Sequence, residues 1–561
     1  MSEPEKSPGP AAKPDHFDIA ILGTRLGGIL LAGILARHGV RVVILDDDPH
    51  PRYQSGEATI PYTSMILELI ADRYDMPEIR NIARSGLIAR HVMPSSGVKR
   101  NLGFLYHEKG KPQDPTRILQ FNVPSEHGEN HLFRQDIDAY LLHAAIRRGA
   151  VYRPWSRNGA LEVGRNGATI EDGYGEALSA DYVVDDCGRS SPLAAKFGLR
   201  AEPGNRRARS FTFTTHMVDV TPYDHCVHHR LPGRWHDGTL HHVFDGGWIG
   251  VIPFDNHKKS TNPLCSVVIS VTDPAEAARS GDDLLAGLIE RFPSLKPHLG
   301  GARRVREWDV EAPAQYSCKD ALGGRYLLFD ESAGGNDLLF SRKLSNTVEL
   351  VHALAHRLIA AARTGDYQKK ELRDFGRIQE GVQLLADRIA AGAQIAMRHP
   401  DLWNAFARVW LMQSIACTVT TRKVHDAFVK SRDQTVLESL DRPVEDGFWM
   451  PVYEGYKRLL DQTLDSLSAV DDGRLPPVTA AQRVFDALAA VTSLPPIFDF
   501  ADPKARIYHL TPARKLKALW WSLTQAPDGV GRLIFYRSFR KLASAPVAPA
   551  LDEQPLSRKG L

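Results

Sequence analysis

Residues 17–46 read FDIAILGTRLGGILLAGILARHGVRVVILD, and this stretch decides the fold. Phe17–Leu22 is an apolar run of strand length. The glycine turn Gly23-Thr24-Arg25-Leu26-Gly27-Gly28 follows it, then a helical run Ile29–His38 and a second apolar strand, Arg41–Leu45, which ends in Asp46. Strand, glycine turn, helix, strand and acid in this order make the βαβ unit that receives the ADP half of FAD or NAD. The distance in sequence from Gly23 to Asp46 suits an acid that accepts hydrogen bonds from a ribose. The pattern G-x-G-x-x-G asks for glycine where Arg25 stands, because the backbone there comes close to a pyrophosphate. An arginine at that point either fills the phosphate's space or swings outward and grips it. Gly23, Arg25, Gly28 and Asp46 are therefore the first cofactor candidates, and Arg25 weakens the expectation of tight binding.

The 561 residues suffice for two or three domains around a large core. A content of 43% apolar and 24% charged residues is that of an ordinary folded chain. The net charge of +3 offers no basis for nucleic acid or a membrane surface as partner. Five cysteines lie scattered without a C-x-x-C pair, so neither a zinc site nor a disulfide framework is expected, and the count suits a reducing cytoplasm. Met1–Pro14 is polar, with no apolar signal core, and no run reaches the length of a membrane span.

Organisation follows from composition shifts. Residues 1–14 read as a disordered leader and 544–561 as a disordered tail. Residues 15–204 alternate short strands, glycine turns and helices, among them the amphipathic run Arg134–Arg148 and the strand Ala180–Val184. Residues 205–320 are rich in β-branched and aromatic side chains, with strands expected at 211–218, 247–254 and 264–271. Residues 321–364 return to the first domain through the strand Tyr326–Phe329, and 365–543 are helical. The expected fold is α/β: a Rossmann-type FAD-binding domain, an inserted β-sheet substrate domain and a helical C-terminal domain.

Several longer motifs carry a family resemblance. Pro51-Arg52-Tyr53, Gly56-Glu57-Ala58-Thr59-Ile60-Pro61, the run KRNLGFLYHEK at 99–109, the segments DGTLHHVF, GGWIGVIPF and NPLCS between 236 and 266, LFSRKLSNT at 339–347 and Leu402-Trp403-Asn404 stand in order along the chain. Together they resemble the flavin-dependent halogenases, most closely those of the tetracycline type that act on aromatic polyketides. The resemblance implies that reduced FAD, oxygen and halide yield hypohalous acid in one chamber, and that a lysine matched by Lys99 delivers the halogen to an electron-rich ring. It also implies cofactor contacts from Arg52, from Arg134 of an R-x-x-x-D with Asp138, from Asp185 of a D-x-x-G with Gly188, and from Asp337.

Four positions depart from the family pattern. Arg25 is the first. Gly250 stands where a second tryptophan would follow Trp248. The loop Phe329–Leu338 keeps Asp337 but has Gly335-Asn336 for an apolar pair and Leu338 for a proline. Lys343 replaces a glycine at a helix N-terminus, where bare N–H groups bind anions. Because all four fall on flavin or halide surfaces, the expected function is a natural-product tailoring enzyme with altered chemistry. That chemistry would be FAD-dependent oxidation, or a non-redox cyclisation or rearrangement with flavin structural or lost and Lys99 or Lys343 polarising a carbonyl. The alternatives are an FADH2-dependent halogenase served by a flavin reductase, and a non-catalytic homologue that binds a small-molecule or carrier-bound polyketide.

Remaining constellations carry less. Adjacent histidines such as His241-His242 point to opposite faces of a strand, which argues against a metal site. Tyr106, His107, His352 and His356 are acid/base candidates, no G-x-S-x-G elbow is present, and the C-terminal tryptophans read as helix-packing anchors.

Overall fold

The computed structural model describes residues 15–525 except 124–128, 158, 202–203, 228, 230, 369, 442–453 and 492–497, so the leader and the tail lie outside the described residues. The opening unit forms as its sequence dictates: β1 (Asp15–Leu22), α1 (Leu26–Arg37) and β2 (Val42–Asp46). β1 sends Ile19 and Ile21 into one core and Ala20 and Leu22 into another. A parallel strand covered on both faces needs that double apolarity. α1 is buried from Leu26 through Leu35, which its nearly all-apolar sequence requires. α2 (Pro61–Tyr74) follows.

The second sheet holds the site. It runs from β11 (Phe211–Val218) through β14 (Cys265–Val271), β13 (Gly247–Pro253) and β12 (Thr239–Phe244) to β4 (Asn101–Tyr106) and β5 (Ile118–Asn122). The expected boundary at 204–205 is thereby corrected: β4 and β5, from the amino-terminal segment, belong to this sheet, with β4 parallel to β12. All six residues of β4 are buried, and pairing inside a large sheet supplies the cover they need. Just before β4, β3 (Gly97–Lys99) pairs antiparallel with β6 (Glu129–His131).

α3 (Arg134–Arg147) packs on α1. The first sheet places β7 (Val151–Pro154), β2, β1 and β10 (Ala177–Asp185) side by side, continued by β9 (Gly167–Glu171) and β8 (Leu161–Gly164). The strand Tyr326–Leu328 joins β10 in parallel, so the chain does return to this sheet after the inserted region. Beyond it come α4 (Arg342–Thr364), α5 (Lys370–Ala396) and α6 (Pro400–Ser431). α2 packs on both α4 and α6, and residues of all three share one apolar core with α1. The helical part is therefore continuous with the nucleotide domain. Among the described residues no helix is long and apolar enough to cross a membrane.

Candidate active site

At the end of β2, Asp46 is buried and receives the hydroxyl of Thr24. Arg52 stands 2.9 Å from the Asp46 carboxylate and donates to Thr24 Oγ1 at 3.0 Å, while His50 Nε2 lies 2.9 Å from the same hydroxyl. His50 Nδ1 and Arg52 Nε remain buried without a hydrogen-bond partner. Buried polar groups of this kind need one, and ribose hydroxyls or a phosphate offer it. Gly23 adopts φ +89°, and a Cβ there would meet the carbonyl oxygen of Asp186 at 2.8 Å. Gly28 N–H donates to Asp186 Oδ2 at 2.6 Å. Gly23, Gly28, Asp46 and Arg52 thus converge on one corner of the first sheet.

Three expected contact residues have other partners. Arg134 is buried, forks onto Asp138 with two 2.8 Å bonds, and donates to the carbonyls of Ser55 (3.0 Å) and Gly56 (3.1 Å). Asp185 accepts from Cys187 N–H (3.0 Å), Ser191 Oγ (2.6 Å), Leu193 N–H (3.2 Å) and Ser332 Oγ (3.0 Å). Asp337 accepts from Ser210 Oγ (2.6 Å), Ser270 Oγ (3.2 Å), Leu339 N–H (2.8 Å) and the Trp248 side chain. These bonds tie Arg134, Asp185 and Asp337 to the segments around the cleft.

Arg25 caps α1, and its guanidinium lies against Gly188, where a Cβ would come within 2.6 Å of Nε. It pairs with Glu331. Lys343, in the first turn of α4, holds the same carboxylate at 2.5 Å, reaches Glu311 at 3.7 Å, and donates to Ser55 Oγ at 2.6 Å. A cation at a helix N-terminus opposes the helix dipole. Glu331 sits between two such cations and offsets both. Burial pushes its carboxyl up, but Lys343 and Arg25 outweigh burial and bring it down to about 2.

Lys343 and Ser341 line one narrow cavity together with Gly56, His241, Trp248 and Gly250. Ser341 Oγ accepts a 3.0 Å hydrogen bond from Lys99 Nζ. Lys99 is 1% exposed, and burial lowers its amine to about 7 while the charge of Glu129 works the other way. Next to Ser341, Phe340 is held at φ +64° and stacks on Trp410 at 4.3 Å, nearly parallel also to Trp403 at 5.8 Å. Phe104 stacks on His241 at 4.8 Å and meets Trp403 edge-on at 5.3 Å. A buried amine brought to about 7 thus bonds a serine that lines the cavity, and the aromatic cluster packs behind that serine in the core.

Against curated proteins the chain is 35% identical to tetracycline 7-halogenase of Kitasatospora aureofaciens over 517 residues, 90% of this chain and 92% of the relative. It is 35% identical to monodechloroaminopyrrolnitrin halogenase PrnC of Pseudomonas fluorescens over 562 residues, 96% of this chain and 98% of the relative. The chain belongs to the flavin-dependent halogenases. The fold agrees: halogenase PltM, crystallised with phloroglucinol and FAD, superposes with a TM-score of 0.82 at 26% identity, covering 88% of this chain and 99% of that one. No family model matches the sequence.

Within this family the departures read differently in three dimensions. Arg25, Lys343 and the altered loop bearing Glu331 are one ion network rather than separate losses. At Gly250 a Cβ would lie 2.9 Å from Trp248 Cζ3, so the Trp248 indole itself covers the place of the missing tryptophan, the two positions sharing a face of β13. Altered chemistry, the main expectation from the sequence, has no feature of its own in this site, and the halogenase alternative is the better supported. His241 and His242 do diverge: His242 turns to His107 at 3.0 Å on the other side of the sheet. Tyr106 donates to the Met397 carbonyl, and His352 and His356 face Asp441. The sequence reading missed Ser341, Glu331 and Glu129.

Proposed function

We propose that this protein is an FAD-dependent halogenase that places an electrophilic halogen on an electron-rich aromatic ring of polyketide type. The observation that carries the reading is Lys99, buried and hydrogen-bonded to Ser341 at the cavity that Lys343 also lines. The corner formed by Thr24, Asp46, His50 and Arg52, with its two unpartnered nitrogens, fits the ADP half of FAD. When bound and reduced, FAD would supply with oxygen the oxidising equivalents that turn halide into hypohalous acid. A flavin reductase is the partner this requires.

The chain's own residues do the rest. The cavity conducts hypohalous acid past Trp248 and His241 toward Ser341, and apolar walls keep bulk water from quenching it. The Lys99 ammonium donates a hydrogen bond to the oxygen of HOX, which makes the halogen more electrophilic. The carbon–halogen bond forms as the O–X bond breaks. The ring's proton leaves with the hydroxide as water, so ArH and HOX become ArX and H2O. Phe104, Phe340, Trp403 and Trp410 pack on one another in the core beside His241 and Ser341, and the acceptor is an electron-rich aromatic ring. Tetracycline 7-halogenase and PltM, with phloroglucinol, act on or hold such rings.

The test is a halide-dependent mass shift in an aromatic acceptor incubated with the protein, FAD, a reductase and NADH. Lys99→Ala should lower halogen transfer on the order of 10^3-fold while leaving FAD absorbance in the purified protein unchanged. A K99A variant that still halogenates at the parent rate removes the role assigned to this residue. A protein that takes up no FAD removes the halogenase reading itself.

A further inference from the structure

The last helix of the described chain, α7 (Pro512–Thr524), leaves an apolar stripe in solvent. Thr511 opens the helix: its hydroxyl accepts from the Arg514 N–H at 3.2 Å, and Pro512 takes the first helical position. The strand Ile507–Tyr508 just before it runs parallel to β5, which ties the helix to the second sheet. Ala518 and Trp521 are buried on the inner face, where Arg514 meets the His509 carbonyl at 3.1 Å and Asp499 at 3.5 Å. On the outer face Ala513, Leu516, Trp520 and Leu523 follow one another at the three- and four-residue spacings that make one stripe of an α-helix. Leu516, Trp520 and Leu523 are 68%, 57% and 62% exposed. At about 100° of turn per residue, Lys515 and Lys517 fall on either side of that stripe. Both lysines are exposed, and among the described residues neither pairs with an acid.

We infer that α7 docks on an anionic lipid surface, with Leu516, Trp520 and Leu523 entering the boundary between headgroups and acyl chains and Lys515 and Lys517 reaching the phosphates. An apolar stripe bordered by lysines, whose stems lie along apolar surface while their amines stay at the charged level, is the pattern of an interfacial helix. An indole favours the same boundary. The helix lies on such a surface rather than crossing it, since no described helix is long and apolar enough to span a membrane. Charge selects this occupant over the others. From Pro512 to Ala545 the sequence holds seven lysines and arginines against Asp528 alone, a concentration that the net charge of +3 conceals. The chain's own residues after α7 bring Arg532, Arg537, Arg540 and Lys541, like charges, toward Lys515 and Lys517. A second copy packed about a two-fold axis sets the same lysines against themselves. An acidic protein answers the lysines but needs a groove shaped to the stripe, whereas a bilayer yields to it. The docking does not depend on the function proposed above.

The test is co-sedimentation of the full chain with vesicles of phosphatidylcholine alone and of phosphatidylcholine with about one-quarter phosphatidylglycerol. The partition coefficient should be about tenfold higher on the anionic vesicles at about 0.1 M salt, and should fall severalfold toward about 0.5 M as salt screens the cations. Two variants separate the contributions. Leu516→Ser with Trp520→Ser removes apolar area and keeps the charge, while Lys515→Glu with Lys517→Glu reverses the charge and keeps the stripe. All four side chains are exposed, so both variants should unfold at the parent's denaturant midpoint. Each should bind the anionic vesicles about tenfold less than the parent. A parent that binds no vesicle, or variants that bind as the parent does, overturn the inference. So does a parent dimer that the L516S/W520S variant dissociates while vesicles stay unbound, which assigns the stripe to a second copy. Capture by polyglutamate but not by vesicles overturns it in favour of an acidic protein. Halogenation enters none of these readouts, so their failure leaves the proposed function standing, and a protein that docks but halogenates nothing refutes that function alone.

Discussion

Glu331→Gln is the sharpest perturbation of the ion network. It leaves Arg25 without the ion pair that ties it down and Lys343 with only Glu311 at 3.7 Å and the Ser55 hydroxyl. Removing one member of a fully buried ion pair costs about 3–5 kcal/mol, because the other charge stays buried and uncompensated. The side chains of Arg25, Glu331 and Lys343 are 27%, 14% and 11% exposed, so water relieves part of that cost and the lower end, about 3 kcal/mol, is expected. The assay is equilibrium urea unfolding read by tryptophan fluorescence, with E331Q compared to R25G/E331Q/K343G. The triple variant restores glycine at both helix starts and removes all three charges together. It should recover more than half of the E331Q loss, since neighbours in one network are not additive. If the triple variant is as unstable as E331Q or worse, the three residues do not act as a unit. Because the Glu331 carboxyl is held at about 2, below its ordinary 4.5, its contribution is full above pH 4.5 and disappears as pH falls toward 2.

Further expectations concern the cavity and the sheet. Gly250→Ala puts a methyl group within 2.9 Å of the Trp248 ring; the indole must move, at about 1–3 kcal/mol of overpacking, and halogen transfer should fall while FAD uptake, measured by absorbance, is unchanged. Behind the sheet, burial lowers His107 and His298 to about 4, and His242 well below its ordinary 6.5. The unfolded chain therefore binds more protons than the native one below pH 6.5, and stability should drop as pH falls from 6.5 to 4, by about 1.4 kcal/mol per pH unit for each histidine. Denaturant midpoints that stay level across that range count against three neutral buried histidines.

What the sequence made legible was what local pattern governs. The glycine turn and its flanking apolar runs placed β1, α1 and β2 to within a few residues, and Phe211–Val218 formed over the expected span. Alternation along β12 predicted that His241 and His242 would part, and they do. Lys99 was singled out through the motif around it, and the structure buries it. The misplacement of β4 and β5 has a different origin. A run of six buried residues fits either sheet, and only the partner strand β12, more than a hundred residues on, decides which.

The same limit explains why four departures looked like four losses. A sequence shows Arg25 and Lys343 as long side chains where small ones are wanted, and each alone can be read as an obstruction. It cannot show that Glu331, 306 residues from Arg25, stands between them. Once Glu331, and Glu311 beside Lys343, are placed, a cation at each helix start is no longer a defect, since two acids offset the two cations. Taken singly, such substitutions invite the inference that a chemistry has been abandoned. Taken as a set joined through Glu331 and Glu311, they balance charge within one cleft, and beside it Lys99 and Ser341 share a hydrogen bond.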